Sequence, residues 1–182
     1  MSPSPPSPLS RRRGGARILN LIMSKLINSP WEDVTDPVII AIEDSDEDFY
    51  VFFRTIQKLG ILERSAHNFL RFQDGDDFLD YLFRQGNYQE LKAPLPVMIL
   101  LDINLPSTDG REIIAHVKQS TAHQMIPIVV ITTSNSPKDI DSCYRKGANT
   151  YMIKPIGTLE MQEKIQTLFH YWFSTAVLPS HV

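Results

Sequence analysis

The chain has 182 residues, 42% of them hydrophobic, and a formal net charge of −3, so it is long enough for one globular domain and carries no overall basic field that would attract nucleic acid. The single cysteine, Cys143, excludes an internal disulfide and favours a reducing compartment, so we expect a cytoplasmic protein. No apolar stretch approaches the roughly 20 residues that span a bilayer.

The first 35 residues predict an extension outside the folded domain. Residues 1–15 are rich in proline and serine, a composition typical of disorder. The first 31 residues contain no acidic residue but several basic ones, a pattern that also occurs in organellar transit peptides. A translation start at Met23 is a third interpretation. We favour a disordered tail at 1–35, a domain at 36–175 and a short C-terminal tail at 176–182.

The domain begins with two strand–helix units. The first strand is predicted at Val38–Ile42, and its helix runs from Asp46 to a stop at Gly60. The second strand is predicted at 67–72, and its helix ends at Gly86. Apolar strands that alternate with amphipathic helices are typical of a parallel α/β sheet.

Three further units complete the pattern. The predicted strands are Val97–Ile103, Ile126–Thr132 and Thr150–Ile153. One predicted helix starts at Asp109-Gly110, the next starts at Ser136-Pro137 and ends at Gly147, and the last runs over Leu159–Phe173. The sequence therefore predicts a doubly wound sheet of five parallel strands with five helices, in the strand order 2-1-3-4-5.

Polar residues follow four of these strands: Glu43 and Asp44 after the first, Asp102 after the third, Thr132 at the end of the fourth and Lys154 after the fifth. Function in such sheets gathers at the carboxyl ends of the strands. We therefore expect three carboxylates, a hydroxyl and an ammonium to converge on one edge of the sheet.

Three neighbouring carboxylates need a counter-charge, and Mg²⁺ suits a site with few carboxylates and several retained waters. Asp46, Glu47 and Asp48 follow in sequence, and they are explained by the preference of a helix N-terminus for acidic residues. That preference does not explain Asp102, which lies on a separate strand. A carboxylate at this position is a candidate nucleophile toward phosphorus, and Lys154 and Thr132 are candidates to bind the phosphoryl oxygens.

The set Glu43-Asp44, Asp102, Thr132 and Lys154-Pro155 resembles the receiver domain of two-component response regulators, which has a flavodoxin-like fold. The resemblance covers residues 37–175 and implies that Asp102 accepts a phosphoryl group from a sensor histidine kinase. It further implies that Asp44, Asp102 and the main-chain carbonyl of Asn104 hold Mg²⁺, with Glu43 acting through water.

The same resemblance implies a switch formed by Thr132 and Tyr151, in which the rotamer of the tyrosine follows the threonine. Thr133 stands where the family usually has a smaller residue, so the lifetime of the phosphoryl group is left open. We expect no output domain after the last helix, and therefore a self-phosphorylating and self-dephosphorylating acceptor rather than a multiple-turnover enzyme.

The aromatic end of the last helix (Tyr171, Trp172 and Phe173), together with the DINLPSTDGREII segment and the GNYQE loop, is similar to the small response regulators of cyanobacterial phytochromes. This resemblance implies a phytochrome as the sensor kinase. It also implies a homodimer through the fourth helix, the fifth strand and the last helix. Three consecutive aromatic residues cannot all face one side of a helix, so part of this set is expected to meet a partner.

Two alternatives differ in class. A haloacid-dehalogenase-like phosphatase also uses an aspartate, a lysine and Mg²⁺, but it would carry a second acid where this chain has Asn104. An inert receiver-like interaction module would not need the complete set of acidic, hydroxyl and ammonium groups. A nucleotide-binding fold is less favoured still, because neither glycine-rich phosphate motif occurs.

Overall fold

The computed structural model describes residues 38–62, 68–92 and 94–179. The predicted N-terminal extension and residues 180–182 of the C-terminal tail lie outside these ranges, so the disorder of the extension stays a prediction. The described strands are β1 (Val38–Ile42), β2 (Asn68–Phe72), β3 (Pro96–Leu101), β4 (Ile128–Thr132) and β5 (Thr150–Ile153). They form one parallel sheet in the order β2-β1-β3-β4-β5. This confirms the predicted fold class.

Five helices alternate with the strands: α1 (Asp46–Lys58), α2 (Gly75–Phe83), α3 (Gly110–Gln119), α4 (Pro137–Lys146) and α5 (Thr158–His170). Helix α1 packs against α5, and α3 contacts both α2 and α4, so the helices form the two groups that a doubly wound sheet needs. Side chains of Ser45, Asp74 and Asp109 cap α1, α2 and α3 by accepting hydrogen bonds from first-turn amides. None of the helices described is long and apolar enough to cross a membrane.

The core lies on both faces of the sheet. Every residue of β1 and β4 is buried, and β3 is buried apart from Val97, which explains why these strands are apolar runs without alternation. Among the helices, α1 buries Phe49, Phe52 and Ile56. Helix α1 therefore has one apolar face in the core, as expected of an amphipathic helix in an α/β sheet.

Several predicted boundaries were wrong by two or three residues. Strand β3 ends at Leu101, because the chain leaves the ladder after Asp102, although Ile103 stays buried. Strand β4 begins at Ile128 rather than Ile126, since Pro127 has no N–H to donate to a ladder. Helix α2 ends at Phe83, before Gly86, because its C-cap Arg84 adopts a left-handed conformation with φ of 56°.

The predicted last helix also ends earlier than expected. Helix α5 stops at His170, and the aromatic residues that follow form a π-helical turn over Tyr171–Thr175. Tyr171 is exposed, whereas Trp172 and Phe173 are half-buried.

Candidate functional site

Backbone hydrogen bonds beyond the strand ends hold the predicted residues at one edge of the sheet. The amide of Glu43 donates to Phe72 O at 2.9 Å, and the amide of Asp102 donates to Ile42 O at 3.0 Å. On the other side of β3, the amide of Lys154 donates to Thr132 O at 2.7 Å. The parallel register therefore brings Glu43, Asp102, Thr132 and Lys154 together at the carboxyl edge.

Lys154 is the centre of the group. Its Nζ lies 2.7 Å from Asp102 Oδ2, 2.6 Å from Glu43 Oε2 and 2.7 Å from Asp48 Oδ2. Glu43 and Asp102 are buried and the side chain of Lys154 is only 9% exposed, whereas that of Asp48 is partly exposed. One ammonium thus reaches carboxylates from β1, α1 and β3.

The charges in this group are not balanced. With all three carboxylates ionised, a single ammonium leaves a net charge of −2. Burial raises the pKa of Glu43, and the hydrogen bond from Lys154 offsets only part of this effect. Burial alone would lower the pKa of Lys154, but its bonds to Asp102, Asp48 and Glu43 raise it, so the ammonium stays charged.

The acidic residues that meet are not all those predicted. Glu43, Asp48 and Asp102 each offer a carboxylate oxygen within 4.8 Å of the others. Asp44, a predicted metal ligand, is exposed and stands outside this group, so its role stays a prediction. The view that Asp48 serves only the helix N-terminus was incomplete. Side chains in the first turn of a helix point back toward its start, and this direction carries Asp48 to the strand edge.

Asn104 links Asp102 to the hydroxyl of Thr132. Its amide donates to Asp102 Oδ1 at 3.0 Å, and its side-chain Nδ2 donates to Thr132 Oγ1 at 3.1 Å. Thr132 is 0% exposed, and its Oγ1 also accepts from the amide of Ser134 at 3.4 Å. Asp102 and Thr132 are therefore held on either side of Asn104, whose carbonyl remains a predicted metal ligand.

Tyr151 connects this site with the surface through the loop after β4. Its hydroxyl donates to Ser134 O at 3.1 Å, and Ser134 Oγ donates to Asp139 Oδ2 at 2.7 Å. Asp139 in turn pairs with Arg111 Nη1 at 2.6 Å, which joins α4 to the start of α3. The half-buried Tyr151 thus bonds to Ser134, the residue whose amide donates to Thr132 Oγ1.

Comparison with known proteins agrees with this geometry. The family model for the response regulator receiver domain matches residues 42–166. The chain belongs to the response regulator receiver domain family. This family consists of response regulators rather than conventional enzymes, so the phosphatase alternative is set aside. The described fold is the fold of this family.

Receiver domains linked to phytochromes are among its relatives. Response regulator Rcp1 of Synechocystis sp. is 34% identical over 143 residues, which are 79% of this chain and 93% of Rcp1. The crystal structure of the phosphorylated cyanobacterial phytochrome response regulator RcpA has a TM-score of 0.72 and 30% identity, over 80% of this chain and all of that one. The crystal structure of the Mn²⁺-bound form of Rcp1 has a TM-score of 0.69 and 33% identity, over 79% of this chain and 99% of that one.

The residues present fit a divalent metal. Hard cations such as Mg²⁺ take oxygen ligands, and the three grouped carboxylates supply oxygen atoms at a site that is short of positive charge. The cluster of described residues contains neither a histidine nor a cysteine, the ligands that would favour softer metals. Receiver domains bind divalent metal, and the donor set here is consistent with that property.

Proposed function

We propose that this receiver domain accepts a phosphoryl group onto Asp102 from a sensor histidine kinase, in a reaction that depends on Mg²⁺. The observation that carries the proposal is the position of Asp102, which is buried directly after β3 with one carboxylate oxygen 2.7 Å from Lys154 Nζ. A buried carboxylate beside a buried ammonium is suited to a reaction that adds negative charge there.

In the proposed reaction, an oxygen of the Asp102 carboxylate attacks phosphorus as the P–N bond of the phosphohistidine breaks. Lys154 binds one phosphoryl oxygen through its ammonium. Thr132 Oγ1 accepts hydrogen bonds from Asn104 and Ser134, so its own hydrogen points to a second phosphoryl oxygen. Mg²⁺, held by Asp44, Asp102 and the Asn104 carbonyl with Glu43 acting through water, would neutralise charge on the phosphoryl group. The carboxylate of Asp48, which also contacts Lys154, lies beside those of Glu43 and Asp102.

The proposed donor is a protein, in particular a phytochrome. A cavity of about 210 Å³ lies next to Lys154 and Asp102, between α1 and the segment after β5. Val51 and Ile156, both exposed and apolar, line this cavity, a surface that suits a protein partner. The relation to RcpA, described as a phytochrome response regulator, supports the choice of kinase.

The proposed output is a change of surface transmitted from Thr132 to Tyr151. Movement of Thr132 toward a bound phosphoryl group would shift the Ser134 loop, to which the Tyr151 hydroxyl is bonded. The surface affected lies on α4, β5 and α5, where Tyr144 and Ile153 are exposed and apolar. We propose that this surface forms a homodimer in the cytoplasm.

The test is phosphoryl uptake. The purified chain is incubated with acetyl phosphate, with and without Mg²⁺, and its intact mass is measured. One added phosphate that requires Mg²⁺ is expected. Steady release of phosphate from an unrelated phosphate ester, without a stable phosphoprotein, would instead reject the acceptor function.

A further inference from the structure

Strand β2 carries a buried arginine that the site does not explain. The side chain of Arg71 is only 5% exposed, although β2 is the edge strand of the described sheet. Its guanidinium lies 4.4 Å from the centre of the Phe49 ring. Burying a charged group costs free energy unless every donor is used, so the contacts of Arg71 indicate its purpose.

The hydrogen bonds of Arg71 go to the segment between β1 and α1 and to the first residue of α1. Arg71 Nε donates to Glu43 O at 2.9 Å, and Nη2 donates to Asp44 O at 3.1 Å. Nη1 donates to Asp46 Oδ1 at 2.7 Å. A planar guanidinium presents its donors as a rigid fork, so two bonds to the loop and one to the start of α1 restrict the path of the chain between β1 and α1.

The carbonyls of Glu43 and Asp44 belong to the two residues proposed to supply metal ligands. A carbonyl held in one direction also limits where the side chain of the same residue can point. Other hydrogen bonds also hold this segment: the amide of Glu43 donates to Phe72 O, the amide of Ser45 donates to Glu43 Oε1, and Lys154 Nζ donates to Glu43 Oε2. Arg71 adds bonds to the main-chain carbonyls of both Glu43 and Asp44.

We propose that Arg71 is a positioning residue for the metal, one that orients Glu43 and Asp44 toward Asp102 without touching the metal or the phosphoryl group. This inference rests on the proposed function, because it presumes that the acidic group binds Mg²⁺. Partners of metal ligands that lie outside the coordination sphere commonly change metal affinity by about 10- to 100-fold when they are removed.

The sign of the effect separates positioning from simple charge. The guanidinium is a positive charge beside a cation site, so Coulomb repulsion alone predicts that its removal tightens Mg²⁺ binding. Positioning predicts weaker binding, because the ligands lose their fixed orientation.

The experiment measures the Mg²⁺ dissociation constant of the full chain by isothermal titration calorimetry. The variants are Arg71→Met, which removes the charge and the fork, and Arg71→Lys, which keeps the charge but not the fork. Arg54→Met is the matched control, because Arg54 is an exposed arginine on α1 that donates to the Tyr50 hydroxyl. Each titration is run at a temperature at which circular dichroism shows that the variant is folded.

Arg71→Met is expected to raise the dissociation constant by about 10-fold, and Arg71→Lys by a smaller factor, whereas Arg54→Met changes it by less than about twofold. Equal or tighter binding by Arg71→Met overturns the inference. If Arg71→Met does not fold, Arg71→Lys decides, and unchanged binding by that variant overturns it equally. Absence of Mg²⁺ binding by the unmodified chain would contradict the metal dependence of the proposed function, and the inference with it.

Discussion

Replacement of Lys154 by methionine tests how the acidic group is held together. The side chain of Lys154 is 9% exposed and contacts the carboxylates of Glu43 and Asp102, which are 11% and 8% exposed. Removing one partner of a buried ion pair costs about 3–5 kcal/mol, and the more exposed contact to Asp48 adds little. We expect the free energy of unfolding of Lys154→Met to fall by about 3 kcal/mol at neutral pH in EDTA.

The loss should depend on pH and on metal. The pKa of Glu43 is already raised in the folded protein, so this carboxyl takes up a proton as the pH falls and the repulsion left by the missing ammonium declines. Mg²⁺ at about 100 times its dissociation constant adds about 2.7 kcal/mol of stability to a chain that binds it only when folded. Mg²⁺ should therefore restore part of the stability that Lys154→Met loses.

The assay is urea unfolding followed by circular dichroism, at two pH values and with Mg²⁺ or EDTA. Lys164→Met is the control, since Lys164 forms an exposed i,i+4 pair with Glu160 and its loss should cost about 0.5 kcal/mol or less. Equal stability of the two variants at neutral pH in EDTA would refute the account of the acidic group.

Three further predictions use other parts of the molecule. Gly110→Ala should lower the free energy of unfolding by about 1–3 kcal/mol, because the new Cβ would lie 2.5 Å from Ile103 Cα and 2.8 Å from Asp102 O. In the control Gly157→Ala, the new Cβ meets no atom within 4 Å. Equal stability of the two variants would count against this packing. Burial, with the charge of Arg84, lowers the pKa of His123, so the unfolded chain binds this proton at higher pH and stability should fall as the pH drops below about 6.5. His123→Gln should flatten that slope in unfolding experiments at pH values above and below this point, and an unchanged slope would reject the assignment. Tyr144→Ala should weaken dimerisation in sedimentation experiments with the phosphorylated chain, whereas Tyr50→Ala, equally exposed on α1, should not; equal effects would exclude the α4–β5–α5 surface.

Asp102 and Thr132 could be placed because buried parallel strands are continuous apolar runs: Asp102 follows β3 and Thr132 ends β4, although the end of β3 was predicted two residues too late. Lys154 follows β5, an edge strand in which only Met152 is buried. All three residues lie at the carboxyl edge as expected. Pairing between strands then fixes which of these residues are neighbours. The order of the sheet and the convergence of these groups therefore followed from the sequence.

Asp48 and Arg71 could not be assigned in the same way. Asp48 lies in an acidic helix start, where the helix dipole is a sufficient reason for its presence, and only the direction of its side chain reveals the contact with Lys154. Arg71 lies in a strand whose charged residue would ordinarily face solvent. Its burial depends on Phe49 and on the path of the loop after β1, neither of which has a signature in β2 itself.

The most direct test of the central claim is to locate the phosphoryl group. After incubation with acetyl phosphate and Mg²⁺, treatment with hydroxylamine converts an aspartyl phosphate into a hydroxamate, which tandem mass spectrometry assigns to one residue. The account predicts a single hydroxamate at Asp102, and none in Asp102→Asn or in EDTA. A hydroxamate at another residue, or equal phosphate uptake by Asp102→Asn, would contradict it.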